Sequence, residues 1–327
     1  MLEILLHIKK RLYLYVTLIF ILALIAGQLW DFEHMNIMPI SILAVFMMLY
    51  PMLTGMEIEK VKKAGRNYKL IITTLIFAYF IASLTAFFLS RTALVNYPDL
   101  ALALVLVGAI PCSNMLIGWS GIADASVPDA LVIAVAGLLL IPFISPLLIY
   151  ISGGIFAEIN LMQLIVILLL YILVPLFFGA FTRRTIIKKR GREYFMSIKK
   201  YLPGVSALGI LLIVFFSVAK VSQKVLGEPQ VFLLVLGTLV LYYIIQTALS
   251  VLAAKMLHLH YSQGMILILG ATASSQAISL SLAATVFPSL TVFALSFKPI
   301  IQVFYIMLLI YGLGPWLRRF LGEKVKE

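Results

Sequence analysis

Charge is scarce in this sequence. Only 12% of its 327 residues are charged, and acids are scarcer than bases, 13 Asp and Glu against 25 Lys and Arg. Globular chains carry about a quarter of their residues as charged side chains. With 63% hydrophobic residues and a mean hydropathy of +1.11, a water-soluble domain is excluded. There is one cysteine, so no internal disulfide can form. The sequence has no P-loop, which excludes ATP hydrolysis by this chain. It also lacks an HExxH run, an Asp-rich motif for diphosphate chemistry and a pair of intramembrane aspartates, which argues against a membrane enzyme. His258 and His260 have no further His, Cys or acidic neighbours, so neither a metal nor another cofactor is expected.

What is present is a series of apolar runs of about 20 residues, the length of a membrane helix and longer than a barrel strand. The pattern predicts an all-α integral membrane protein with about ten spans. These are 12–29, 37–55, 70–90, 100–123, 130–152, 161–181, 205–219, 231–254, 265–287 and 289–314. The first run follows Lys9, Lys10 and Arg11 and is long enough to span, so a cleaved signal peptide is not expected. Basic residues gather in alternate connections: Lys60 to Lys69, Arg183 to Lys200, and Arg318 to Lys326 in the tail. The positive-inside rule then places both termini in the cytoplasm of a cell-membrane protein. These runs read as topology signals that touch lipid headgroups, with no nucleic-acid partner. No feature of the sequence fixes an oligomeric state.

Division after residue 160 gives two halves of five spans each. An odd number of spans makes the second half enter from the opposite side. Residues 1–160 and 161–327 are therefore expected to form two inverted repeats. The fourth span of each half is interrupted. Residues 108–115 read Gly-Ala-Ile-Pro-Cys-Ser-Asn-Met, and residues 270–277 read Gly-Ala-Thr-Ala-Ser-Ser-Gln-Ala. A break frees backbone groups that lipid cannot satisfy, so each break should face protein or a polar cavity. Cys112, Ser113 and Asn114 follow the first break, and Ser274, Ser275 and Gln276 the second. These six are candidate substrate or ion ligands. Ser279 and Ser281 read as small packing residues.

Lys298 is the most conspicuous residue. It lies about ten residues into the last span, where a lysine costs on the order of 3 kcal/mol even on the lenient insertion scale. Pro299 follows it, and Gln302 lies one helical turn further on the same face. No Asp or Glu lies near the centre of any span, so its partners are expected among helix carbonyls, Gln276, Gln302, Asn114 or a bound anion.

These motifs resemble the bile acid/sodium symporter superfamily, in particular its arsenical-resistance-3 branch. Pro111-Cys112-Ser113-Asn114-Met115 with Trp119-Ser120 resembles the Pro-Cys-Thr-x-Met…Trp-Ser stretch of arsenite permeases, whose cysteine is linked to arsenite transport. Ser113-Asn114 resembles a sodium-binding Ser-Asn pair of the bile acid branch. Lys298-Pro-Ile-Ile-Gln-Val303 resembles Gly-Pro-Leu-Ile-Glu-Val of the permeases. The resemblance implies ten spans, with the fourth and ninth helices broken and crossing, in a core and a panel domain. The sequence departs from the family at its acids. Ala277 or Gly270, depending on alignment, stands at a glutamate position, Gln302 replaces the acid of the last span, and Lys298 stands at a glycine.

The function read from these features is alternating-access transport of a small anionic or weakly acidic solute, organic or oxyanion. Lys298 would stand in for the sodium charge, which disfavours sodium and leaves a proton as the coupling ion. The alternatives are an arsenite or antimonite exporter using Cys112, and a channel or sensor without coupled transport.

Overall fold

The computed structural model describes residues 11–32, 34–36, 38–55, 67–112, 114–227 and 229–322, together with 3 and 5. The basic residues Lys60, Lys62, Lys63 and Arg66 of the second connection, and Ser113, lie outside the described residues. Among the described residues every regular element is a helix. In chain order they are α1 (Leu12–Leu29), α2 (Met38–Thr54), α3 (Tyr68–Ala93), α4 (Pro98–Ala109), α5 (Asn114–Ile122), α6 (Val127–Gly153) and α7 (Leu161–Lys199). Then come α8 (Leu202–Gly227), α9 (Pro229–Met256), α10 (Tyr261–Thr272), α11 (Gln276–Val286), α12 (Ser289–Ser296), α13 (Lys298–Met307) and α14 (Gly314–Leu321). Helix α3 contains a π turn at Phe77–Ile81, and a second π turn, Leu308–Leu313, joins α13 to α14.

Three departures from the expected layout have local causes. The basic residues after the sixth span are helical, because α7 runs on through Arg183 to Lys199. Lys and Arg are good helix formers. The helical dihedrals fail only at Gly191, where φ is 84° and ψ is 165°. The last span is broken as well, at the Phe297 turn between α12 and α13. Pro299 supplies the reason, since it has no N–H to continue the ladder. At the start of α6, Ser126 holds the N-cap position, but its hydroxyl does not accept a backbone N–H. It donates instead to Asp129 Oδ2 at 2.6 Å.

The helices group into two compact units, each drawn from both halves of the sequence. One comprises Met1–Met56, Met162–Val235 and Gln276–Ile300. In it α8 packs along α1 and α2, and also meets α12. Ser206 Oγ donates to the Met48 carbonyl at 2.8 Å, tying α8 to α2. Phe297 is ringed by Phe20 and Phe232, with centroids 4.7 and 4.9 Å away, both edge-on. That geometry suits the aromatic quadrupole.

The other unit comprises Glu57–Leu161, Leu236–Ser275 and Ile301–Glu327. There α3 packs on α4, α5 on α6, and α10 against α3 and α5. Polar contacts fasten its end: Arg318 pairs with Asp124 at 2.8 Å, and Tyr261 Oη donates to the Ala123 carbonyl at 3.0 Å.

Six helical stretches are long and apolar enough to cross a membrane: Tyr68–Ala93, Val127–Gly153, Leu161–Lys199, Leu202–Gln223, Gln230–Met256 and Ser289–Leu321. Their outer faces are apolar too. Leu14, Leu18, Ile21 and Ile25 form an exposed stripe on α1, and Phe177 on α7 is 69% exposed. Exposed apolar surface on this scale is not found facing water. The chain is a multi-pass membrane protein.

Candidate functional site

The first break follows from its proline. The residue before a proline is pushed out of the α region. Ile110 accordingly sits at φ −115°, ψ 105° and ends α4, whose last ten residues are all buried. A continuous helix would give the Ala109 carbonyl an N–H four residues on. Here Ser145 Oγ, from α6, donates to it at 2.7 Å. The break also lets α4 lie close against α3. A Cβ on Gly108 would stand 2.6 Å from the Ala82 carbonyl oxygen.

The second break has no proline. Ala273 ends α10 in an extended conformation, φ −81° and ψ 144°. The N–H groups that follow leave the helical ladder for other partners. Ser275 N–H donates to the Pro111 carbonyl at 3.1 Å, and Ser274 N–H to Gln302 Oε1 at 3.4 Å. Pro111 and Ser274 form an antiparallel backbone bridge. The two interrupted stretches therefore meet, and Gln302 bonds the second of them.

Gln302 is fully buried. Its Oε1 accepts a second hydrogen bond from Tyr243 Oη at 3.2 Å. The Ser274 N–H can only donate, which identifies that atom as the oxygen and the other as the NH₂ group. Gln302 Nε2 is buried without a hydrogen-bond partner, and so is Ser274 Oγ. Buried polar groups are rarely left in this state, and here two surround one backbone bridge. Cys112 is 3% exposed and adjoins Pro111 in the same unit. Of Asn114 only its place as the first residue of α5 is described.

In the other unit, Lys298 is fully buried at the start of α13. Its Nζ donates to Ser279 Oγ of α11 at 2.9 Å. Ser279, expected to serve packing alone, is thus a partner of the lysine. Gln276 opens α11 and is 3% exposed, with its Nε2 unpartnered. Ser281 points its hydroxyl at Met48 Sδ, 3.9 Å away, in keeping with packing.

The electrostatics of these stretches are one-sided. From Pro229 to Gly322 the chain holds no Asp or Glu. Among the described residues no three His, Cys, Asp or Glu side chains are grouped to hold a metal. At Gly270 an added Cβ would stand 2.4 Å from the Thr74 methyl, so a side chain there requires Thr74 to shift.

Residues 42–228, more than half of the chain, match the Sodium Bile acid symporter family. The chain belongs to that family. An arsenical-resistance protein Acr3 of Alkaliphilus metalliredigens is 27% identical over 220 residues, 63% of this chain and 60% of that protein. A protein of Synechocystis named as an uncharacterized transporter is 25% identical over 252 residues, 68% of this chain and 65% of that one. An Acr3 of Corynebacterium glutamicum is 23% identical over 301 residues, 85% of this chain and 79% of that one. The chain thus spans less than two thirds of the length of the first two relatives.

Within this member of the symporter family, sequence reasoning missed three residues. Tyr243 holds Gln302, and Tyr305 Oη meets the Tyr243 carbonyl at 3.0 Å and Thr247 Oγ1 at 2.7 Å. The Tyr243 and Tyr305 rings stack with centroids 5.3 Å apart. The available signal was Gln246, a second amide in an apolar span, one turn from Tyr242 and Tyr243.

Proposed function

We propose that this chain is a secondary transporter that moves a small anionic or weakly acidic solute by alternating access, without sodium. Ten membrane spans in two inverted repeats, 1–160 and 161–327, with both termini in the cytoplasm, are the matching architecture. One observation carries the reading: the two interrupted stretches meet at Pro111 and Ser274, and the buried groups around that bridge are unpartnered donors. N–H and O–H groups in a dry site fit a solute that brings acceptor oxygens. The missing acids on α9 to α14 remove the charge that a sodium ion would need. The fully buried Lys298 at the start of α13 is of the opposite sign. A bound anion favours the ammonium form of a lysine within its reach, which would link solute binding to proton uptake. The test is counterflow in proteoliposomes holding the purified full chain, preloaded with a panel of organic acids. Saturable exchange that is unchanged when choline replaces sodium is expected. Exchange that requires millimolar sodium, or flux that never saturates, would overturn the reading.

A second reading has its own support. Two relatives are named as arsenical-resistance proteins, and Cys112 sits buried beside the bridge. One thiolate per chain gives weak, reversible capture of arsenite, which suits export. On this reading cells expressing the protein gain arsenite resistance, and Cys112→Ser removes it. Resistance that survives in Cys112→Ser, or is absent with the parent, eliminates this alternative.

A further inference from the structure

A groove of about 450 Å³ runs between α3 and α9, within the size range of ligand pockets. Phe77, Leu84 and Phe88 line it from α3, and Leu252, Ala253 and Met256 from α9. Among the described residues Thr85 is the one polar side chain in the lining, and its hydroxyl is spent on the Ile81 carbonyl at 2.9 Å. Gln246 Nε2 reaches the same carbonyl at 3.2 Å and so ties α9 to the π turn of α3. The lining therefore calls for an apolar occupant.

One end of the groove is basic. Lys255 and Met256 close α9. Lys255 Nζ donates to the Phe320 carbonyl at 2.7 Å and lies 4.6 Å from the centroid of the Phe320 ring. That contact brings the end of α14, with the exposed Arg319, beside the exposed Lys255. An ammonium group has three N–H donors, so the Phe320 bond does not exhaust it. Trp316 is half exposed and stacks on Phe320 with centroids 4.7 Å apart. A tryptophan so placed belongs at the depth of lipid headgroups. Little negative charge opposes these cations: Asp124 is held by Arg318 at 2.8 Å, and neither α3 nor the chain from Pro229 to Gly322 contains Asp or Glu.

Lipid tails are as apolar as leucine, so an acyl chain gains no hydrophobic energy by entering the groove. It gains contacts that an unfilled groove forfeits, and the choice among lipids falls to the headgroup. We propose that the groove binds one anionic phospholipid of the bilayer, with an acyl chain between α3 and α9 and its phosphate at Lys255 and Arg319. The bound lipid braces α3, α9 and α14 against one another, all in the unit that holds the Pro111–Ser274 bridge. The site is independent of the solute and of the solute reading.

The experiment is thermal unfolding of the full-length protein, delipidated in detergent and titrated with phosphatidylglycerol or phosphatidylcholine of identical acyl chains. Phosphatidylglycerol is expected to raise Tm at the lower concentration, by about fivefold for each of the two cations. Lys255→Gln and Arg319→Gln should each remove about one such factor, and Lys255→Arg should keep it. Loss of the Phe320 bond alone would lower Tm with both lipids alike, so the ratio between the lipids reports the headgroup contact. Ala253→Phe fills the groove and should weaken the response to both, and the exposed Leu252→Trp serves if Ala253→Phe does not fold. Phosphatidylglycerol with a photoreactive acyl chain should label residues 77–88 and 249–256 in preference to the exposed stripe of α1. No response, an equal response to the two lipids, a preference unchanged in the Lys255→Gln/Arg319→Gln double variant, or label spread evenly onto α1 overturns the proposal. So does a response that survives groove filling, or a dimer in detergent that Leu252→Trp dissociates, which would make a second copy the occupant.

Discussion

Lys298→Ala is expected to abolish solute uptake driven by an imposed pH gradient, while leaving the protein folded. The side chain is fully buried and donates to Ser279 Oγ at 2.9 Å. The charge of such a group is balanced by everything that surrounds it, the Ser279 hydroxyl included. A bound anion changes that balance. Its binding favours proton uptake, and proton uptake favours its binding by the same factor. Alanine removes both sides of the linkage and should cut uptake at least tenfold. Truncation of so large a buried side chain leaves a cavity, so a Tm measurement accompanies the assay to show that the variant is folded. Lys298→Arg separates binding from coupling. The guanidinium stays charged at every working pH, so anion exchange should persist while the pH gradient loses its effect. The measurement is uptake by proteoliposomes with the gradient imposed by a buffer jump. If Lys298→Ala follows the gradient as the native protein does, the lysine only braces α11 against α13.

What the sequence discloses here depends on how local the cause is. The first break is written in Pro111, which acts on its own neighbours, and it falls where the sequence puts it, with Ile110 extended. The second break is visible only as a polar run, because its cause is remote: Ser275 bonds Pro111, 164 positions earlier by their numbering. Pro299 marks the third break, yet a lone proline inside a long apolar run reads equally well as a kink. Gln302 stands out as an amide in a span, whereas the tyrosine bonded to it is 59 residues away and reads as an ordinary aromatic. Ser279 is hidden for the same reason. A small hydroxyl on a packed helix face is identical in sequence whether it fills space or accepts a hydrogen bond from Lys298.

Gly270→Glu is expected to cost several kcal/mol of stability, read as a large fall in Tm, and the cost has two separable parts. The first is steric. A Cβ at Gly270 overlaps the methyl of Thr74, which is fully buried and tied by its hydroxyl to the Leu70 carbonyl at 2.8 Å. Overpacking of this kind costs about 1–3 kcal/mol. Gly270→Ala isolates that part, and Thr74→Ala should relieve it, because the remaining Thr74 Cβ would lie 3.9 Å away, at ordinary contact distance. The second part is electrostatic. A carboxylate in a segment with no basic residue between His260 and Lys298 has no cation near it in sequence. An unpaired buried charge costs several kcal/mol more. A sodium ion offsets that second part and leaves the first untouched. The double variant Thr74→Ala/Gly270→Glu should therefore recover the Tm of wild type only when sodium is present, whereas Gly270→Ala should be indifferent to it. If Gly270→Glu unfolds at the native temperature, the Thr74 methyl is not what closes this position. If the double variant shows no sodium response, a carboxylate at position 270 does not create a sodium site in this chain.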